Sequence, residues 1–297
     1  MVGIYELLNF TFQFLDSFAF IVLATMGLAI IFGMMGIINL AHGEFILVGA
    51  YATTLSFHAG LPLPIAMVAG VIATTIFGVV LEMTIIRRLY GRLLDSMVVT
   101  FGISLVVIQL VRIRWGNSLN QIGTPFGGIS YGGYSYGTYR GVVLAVVAVV
   151  TLAVLYVVFT RTMFGVKARA TIQDEETARS MGVDTDRMYL ATFAIGSALA
   201  GLTGALYAPT ITMSPDLGST FLVEAFVAVV VGGPSVLLGT PLAGALLGVV
   251  DAFFANRWGQ FMGTVFLLVT AIFAIRLMPD GITGLLADVR QKRREAE

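Results

Sequence analysis

The chain has 297 residues, of which 58% are hydrophobic and only 11% charged, with a formal net charge of zero. An ordinary soluble domain is about 45–50% apolar and 25% charged, so a typical soluble globule is excluded, and the neutral balance gives no sign of nucleic-acid binding. The absence of Cys excludes disulfides, thiolate catalysis and Cys-ligated metal, and two histidines, His42 and His58, are too few for a His-rich metal site.

Apolar runs recur at 18–38, 45–59, 62–86, 97–113, 140–160, 188–208, 221–233, 236–254 and 261–278. They are continuous, whereas a barrel needs alternating segments of about ten residues. The fold class expected is therefore all-α and polytopic, with 8 or 9 membrane helices, some interrupted or re-entrant. Residues 1–17 hold Glu6 and Asp16 but no Lys or Arg. They lack the basic start of a cleavable signal, so a native, extracytoplasmic N-terminus is expected.

The first two runs are separated by Asn39-Leu40-Ala41-His42-Gly43-Glu44. Charge within hydrocarbon costs roughly 2.5–3.5 kcal/mol per residue on insertion scales. The apolar stretch after it, Phe45 to Phe57, has 13 residues. As a helix it reaches about 20 Å, short of the ~30 Å core. The hexapeptide is thus expected at membrane depth or just inside it, where a solute path is built. Asn39, His42 and Glu44 are candidates to line or brace that path. His42 as a satisfied helix-end imidazole, and Glu44 as an end charge on the helix starting near Phe45, are the plainer alternatives.

Glu82 lies one turn from Arg87 and is expected to pair with it. Three gaps are basic: Arg87, Arg88 and Arg92; Arg161, Lys167, Arg169, Arg179 and Arg187; and Arg290, Lys292, Arg293 and Arg294. The positive-inside rule makes all three cytoplasmic. Nine crossings satisfy this with the N-terminus outside, or eight if one short segment is re-entrant. Arg112, Arg114 and Arg140 flank the outer loop against the rule. That loop holds six Gly and four Tyr between Gly123 and Tyr139. It reads as extended or hairpin-like, with Tyr side chains at the membrane interface, and serves either as a connection or as a docking surface.

In the gap 161–187, Thr171 to Met181 reads as one short amphipathic helix. Asp174, Glu175 and Glu176 suit its N-terminus, Arg179 follows Glu175 by four, and Gly182 fits a C-terminal cap. Ala170, Ile172, Ala178 and Met181 are candidates for its apolar surface. Small residues from Ala194 to Ala205 allow close helix approach. Gly232-Gly233-Pro234-Ser235 then interrupts the run 221–254, with Gly239-Thr240-Pro241 close behind. Such breaks are tolerated at membrane depth when protein or a cavity covers the backbone, so Glu224, Gly232 and Gly233 join the pathway candidates. Glu224 and Asp251 read equally as a structural set, with Arg257 a plausible partner for Asp251.

Several segments together resemble the branched-chain amino acid ABC importer permeases, in the shorter, H-type subunit. They are Gly27-Leu-Ala-Ile-Ile-Phe-Gly-Met-Met-Gly-Ile-Ile-Asn-Leu-Ala-His-Gly-Glu-Phe45, Lys167-Ala-Arg-Ala-Thr-Ile-Gln-Asp174, Gly182-Val-Asp-Thr-Asp-Arg187, Ala191 to Gly204, Ala225 to Gly233, and Leu277-Met-Pro-Asp-Gly281. Glu176-Thr177-Ala178, then three residues and Gly182, resembles the Glu-Ala-Ala-xxx-Gly signature of importer permeases. Thr replaces one Ala, and the fuller signature's hydrophobic ending is absent. Pro234-Ser235 after the Gly pair and the Tyr-rich loop also depart from the family.

The resemblance implies a single permease domain over 1–297 in the bacterial inner membrane, with a cytoplasmic coupling segment at 161–187 and a basic cytoplasmic tail at 287–297. Partners implied are a second homologous permease, two cytoplasmic ABC ATPases, an extracytoplasmic solute-binding protein and membrane lipid. Arg169, Asp174, Glu175, Glu176, Ala178, Arg179 and Gly182 would form the ATPase-coupling surface. The chain has no Gly-x-x-x-x-Gly-Lys-Ser/Thr loop, so no cofactor is expected on it, and ATP and Mg belong to the partner ATPases. The solute expected is a branched-chain or hydrophobic amino acid. Urea or a short-chain amide is the alternative, to which Ser214-Pro-Asp-Leu-Gly-Ser-Thr220 leans. An ion-coupled transporter or channel is the competing class.

Overall fold

A computed structural model describes residues 2–131, 133–233 and 235–286. Pro234 and the basic tail 287–297 lie outside them. The described helices are α1 (Val2–Met35), α2 (His42–His58), α3 (Leu63–Thr84), α4 (Leu93–Trp115), α5 (Leu144–Arg161), α6 (Met163–Gln173), α7 (Glu175–Ser180), α8 (Thr185–Tyr207), α9 (Leu217–Gly232), α10 (Val236–Trp258) and α11 (Gln260–Leu277). A 3-10 turn, Ile86–Leu89, follows α3, and a π-helical turn, Tyr139–Val143, leads into α5.

Seven helical stretches are long and apolar enough to cross a membrane: those of α1, α3, α4, α5 with its π turn, α8, α10 and α11. α9 is a shorter apolar helix, and α2 has 17 residues. The chain is therefore an all-α polytopic membrane protein. α1 differs from expectation. It starts at Val2 rather than near Phe18 and runs for 34 residues, about 51 Å at 1.5 Å per residue. Nothing in 2–17 breaks a helix, because no Pro occurs there.

The chain divides into two compact units. The first lies within 1–25, 124–151 and 224–297. Its core gathers Ile21, Ala228, Val231, Ala243, Leu247, Leu267 and Ala271. The Gly-rich loop forms a hairpin here, β1 (Gly128–Tyr131) against β2 (Tyr134–Gly137), with Tyr131 opposite Tyr134 and Gly133 at φ +87° in the turn. The hairpin rests on α1. Phe12 stacks on Tyr136 at 5.5 Å and lies 6.0 Å from Tyr131, and Gln13 donates to Tyr136 at 2.8 Å.

The second unit lies within 26–123 and 152–223. α2, α3 and α8 pack on one another along glycines. A Cβ at Gly49 would sit 2.7 Å from Gly201 Cα, and one at Gly70 would sit 2.6 Å from the Gly49 carbonyl oxygen. Small residues let backbones approach this closely where no hydrophobic force separates helix from lipid.

The arginines that flank the hairpin loop are accounted for locally. Arg140 pairs with Asp16 and Arg112 with Asp216, each at 2.9 Å, while Arg114 lies over the Trp115 ring at 5.5 Å.

Candidate translocation and coupling sites

The candidate pathway residues divide between the units, with Asn39, His42 and Glu44 in the second and Glu224, Gly232 and Gly233 in the first. In the second unit, α1 ends on Gly36, whose φ is +62°. Residues 37–41 are then non-helical, with Ala41 as the N-cap of α2, which begins at His42. Asn39 organises this break. Its Oδ1 accepts from Ala41 N at 3.0 Å, and its carbonyl accepts from His42 N at 3.2 Å. Thr100 of α4 accepts from Leu40 N at 3.0 Å.

Asn39, His42 and Glu44 are all buried, at 1%, 1% and 2% exposure. Ser104 of α4 donates to Glu44 Oε1 at 2.7 Å. Glu44 Oε2 and Asn39 Nδ2 make no hydrogen bond among the described residues. A buried polar group costs free energy unless it is bonded, so these two atoms are the unsatisfied polar centre of the break. Glycines make room around it. A Cβ on Gly27 would sit 3.0 Å from His42 Cε1, and one on Gly43 would reach Gly218 Cα at 3.0 Å.

In the first unit, α9 ends at Gly232 and α10 starts at Val236, with Gly233 at φ +82°. The interruption is thus where the glycine pair puts it. Its backbone groups are satisfied by one hydroxyl, since Thr283 donates to the Gly232 carbonyl at 2.9 Å and accepts from Ser235 N at 3.4 Å. Gly281, at φ +70°, lies against Gly233, so that a Cβ there would meet Gly233 Cα at 2.5 Å. Pro241, by contrast, does not break the chain again and sits inside α10.

Glu224 lies within electrostatic range of Asp251, with like charge. Asp251 is not partnered by Arg257. It accepts from Ser17 Oγ at 2.5 Å and from Gln260, while Arg257 stands over the Phe253 ring at 6.0 Å. Six residues along a helix turn the side chain through about 240°, which carries Arg257 away from Asp251.

The coupling segment is two helices rather than the single one expected over 171–181. Asp174 interrupts it in an extended conformation (φ −159°, ψ 105°). Its carboxylate caps α7, accepting from Thr177 N at 3.0 Å and Thr177 Oγ1 at 2.7 Å. Those two donors hold its pKa below the usual carboxylate value. The cap satisfies an amide that an uninterrupted helix would have bonded to its own carbonyl. Arg179 bonds Glu175 at 2.9 Å, as the four-residue spacing predicts. α7 closes with Gly182 N on Arg179 O and Val183 N on Ala178 O, both at 3.0 Å, with Gly182 at φ +85°. This is a Schellman cap, which needs a left-handed residue.

Exposure divides the coupling candidates. Arg169, Asp174, Glu176, Arg179 and Gly182 are exposed and Glu175 is half-buried. Arg169 donates back to the Phe159 carbonyl. Ala178 is buried at 4% against its own chain, whereas Met181 and Ile172 are 81% and 52% exposed. A six-residue helix packed on α6 and α8 turns its smallest side chain inward. Of the apolar candidates on this segment, Met181 and Ile172 are the exposed ones and Ala178 is not.

Ser104, Thr100, Thr283 and Ser17 belong to these sites and were not singled out from sequence. A signal existed for two of them. Ser96, Thr100 and Ser104 repeat every four residues in an otherwise apolar helix, and all three are buried. Thr283 and Ser17 carry no such pattern.

Comparison with known proteins agrees with this architecture. The family described as "Branched-chain amino acid transport system / permease component" matches residues 10–275. The high-affinity branched-chain amino acid transport permease BraD of Pseudomonas aeruginosa is 28% identical over 280 residues, covering 88% of this chain and 91% of that protein. The probable permease LivH of Methanocaldococcus jannaschii is 27% identical, covering 89% of each. The autoinducer 2 import permease LsrC of Photorhabdus luminescens is 33% identical over 135 residues, 40% of each chain. No solved structure matches. The chain belongs to the family of permease components of branched-chain amino acid transport systems.

Proposed function

We propose that this chain is the H-type permease of an ATP-binding-cassette importer in the bacterial inner membrane, moving a branched-chain or hydrophobic amino acid. A second homologous permease, two ATPases and an extracytoplasmic solute-binding protein complete the assembly. ATP and Mg belong to the ATPases, and this chain holds no cofactor. The N-terminus faces outward, and the segment 161–187 and the C-terminus face the cytoplasm.

The observation that carries the coupling role is the short, doubly capped α7. It is held between Asp174 and Gly182, presents Glu176, Arg179 and Met181, and joins two apolar helical stretches that end at Arg161 and start at Thr185. Asn39, His42 and Glu44 of the second unit are pathway residues in this reading, and Glu224, Gly232 and Gly233 of the first unit are candidates for the same role within their own unit. The relatives named for branched-chain amino acid transport support the solute assignment. Urea or a short-chain amide remains the alternative solute.

The test is reconstitution in vesicles with the second permease, the ATPases and the solute-binding protein of the assembly. ATP-dependent uptake of leucine, isoleucine or valine is expected. A sole cysteine at Met181→Cys should crosslink to an ATPase subunit. Uptake of urea or acetamide instead reassigns the solute, and uptake driven by an ion gradient without ATP removes the importer reading.

A further inference from the structure

Two tyrosine–carboxylate pairs meet ring to ring in the second unit. Tyr90 donates to Glu82 Oε1 at 2.5 Å, and Arg87 reaches the same carboxylate at 3.4 and 3.3 Å. Tyr189 donates to Glu175 Oε2 at 2.9 Å, and Arg179 reaches that carboxylate at 2.9 Å. The Tyr90 and Tyr189 rings lie 4.8 Å apart, tilted by 57°, within the range of favourable aromatic pairs. Glu82 sits in the last turn of α3 with no exposed surface. Glu175 is the first residue of α7, and Tyr189 lies near the start of α8.

Stability alone does not account for this arrangement. Replacing a buried ion pair by apolar side chains is often neutral or stabilising. A joint of simple packing would therefore serve as well as one that sequesters the Glu82 carboxylate. What the polar version adds is direction, because each hydroxyl accepts only a narrow range of ring positions relative to its carboxylate. The near end of the joint is α7. The far end is α3, whose Gly70 and Gly78 press on Gly49 and Thr53 of α2 and on Ser197 of α8. α2 in turn begins at His42 and carries Glu44.

We infer that Tyr90 and Tyr189 are positioning residues, a two-ring joint that passes the position of α7 to α3 and so to the wall holding Asn39, His42 and Glu44. The inference rests on the coupling role proposed for α7. Tyr189 follows α7 through Glu175, and Tyr90 follows Tyr189 through ring contact and holds α3 through Glu82. Both hydroxyl bonds act in series, so losing either breaks the transfer.

The experiment uses the reconstituted complex. Tyr90→Phe and Tyr189→Phe keep the ring contact and remove one hydrogen bond each. Each should lower the solute imported per ATP hydrolysed by about tenfold, the scale of one charge-assisted hydrogen bond, with the ATPases still bound. The double variant should be no worse than either single one, because the links are in series. The chain has no cysteine of its own, so exposed Arg88→Cys and Ser180→Cys can carry a spin-label pair. Its distance distribution should be narrow in the otherwise unchanged protein and broad in both Phe variants. An unchanged ratio, an unchanged distribution, or a double variant that multiplies the single losses overturns the joint. If the unsubstituted complex hydrolyses no ATP, the importer reading fails and takes the inference with it. If it couples normally and the Phe variants do too, only the inference fails.

Discussion

Ser104 donates to Glu44 across 60 residues of sequence, at 2.7 Å, with both side chains buried. The bond fastens the first turn of α2 to the middle of α4. It also leaves one oxygen of a buried carboxylate without a donor among the described residues.

Ser104→Ala should therefore cost about 1–3 kcal/mol, the penalty for stranding a buried acceptor. Ser104→Ala combined with Glu44→Leu should recover part of that loss, because no acceptor remains to be stranded. Thermal melting of the purified protein in detergent reads both. Glu44→Ala should also reduce uptake while the complex assembles. Normal uptake by an assembled Glu44→Ala complex removes Glu44 from the solute route.

Gly43 and Gly102 form a contrasting pair. A methyl on Gly43 would press into the Gly218 backbone, whereas one on Gly102 meets nothing within 4 Å. Gly43→Ala should destabilise by about 1–3 kcal/mol through overpacking. Gly102→Ala, in a helix interior, should be neutral or stabilising by up to roughly 1 kcal/mol. Equal melting temperatures for the two variants would contradict the close approach of residues 43 and 218.

Thr283 satisfies both sides of the α9–α10 interruption with one hydroxyl. Thr283→Val keeps the shape and loses both bonds, at a cost of about 1–3 kcal/mol. Thr283→Ser keeps the hydroxyl and should retain most of the stability and uptake. A Val variant that matches the Ser variant in melting and transport would show that the hydroxyl is not what holds the break.

Asp174 predicts a pH dependence. Its folded pKa is depressed below the usual 3.8 by the Thr177 donors, so its capping contribution is present above that value and disappears as pH falls through the lower folded value. Protection of the Thr177 amide, its hydrogen exchange relative to the intrinsic rate at each pH, should hold at pH 5 and fall only below the usual 3.8. In Asp174→Ala protection should be low throughout, and in Asp174→Asn, which can still cap, it should persist at all these values. An unprotected Thr177 amide in the unsubstituted protein at pH 5 would remove the cap.

Gly182 at φ +85° is a position where a β-branched residue is strained, by about 1–2 kcal/mol. Gly182→Val should insert in the membrane normally and lose ATPase attachment or solute-stimulated hydrolysis. Co-purification and hydrolysis in vesicles measure it, and normal values in both would remove the α7 cap from the coupling surface.

Much of the local structure around the candidate residues was legible in short-range pattern. Asn39, His42 and Glu44 interrupt apolar runs, and the structure buries all three around a real break in the helices. Gly182 and the Glu175–Arg179 spacing were readable because caps and four-residue pairs are short-range. The division of 171–181 at Asp174 was not, because acidic residues fit equally well as a first turn or as a cap. The Arg257 pairing failed because proximity in sequence ignored the turn of the helix.

By itself the sequence determined the class of protein, the run of apolar helices, the glycine interruption at 232–233 and the short capped element before residue 185. These follow from hydropathy, glycine freedom and capping, which act over a few residues. Only the tertiary structure decided which hydroxyls complete the polar sites. Ser104 reaches Glu44, Thr283 reaches Gly232, Ser17 reaches Asp251, and Tyr90 meets Tyr189. Each joins residues tens or hundreds of positions apart, and at Thr283 the close approach is allowed by Gly233 and Gly281 facing one another. A linear pattern carries the demand of a buried polar group for a partner, but not which distant helix supplies it.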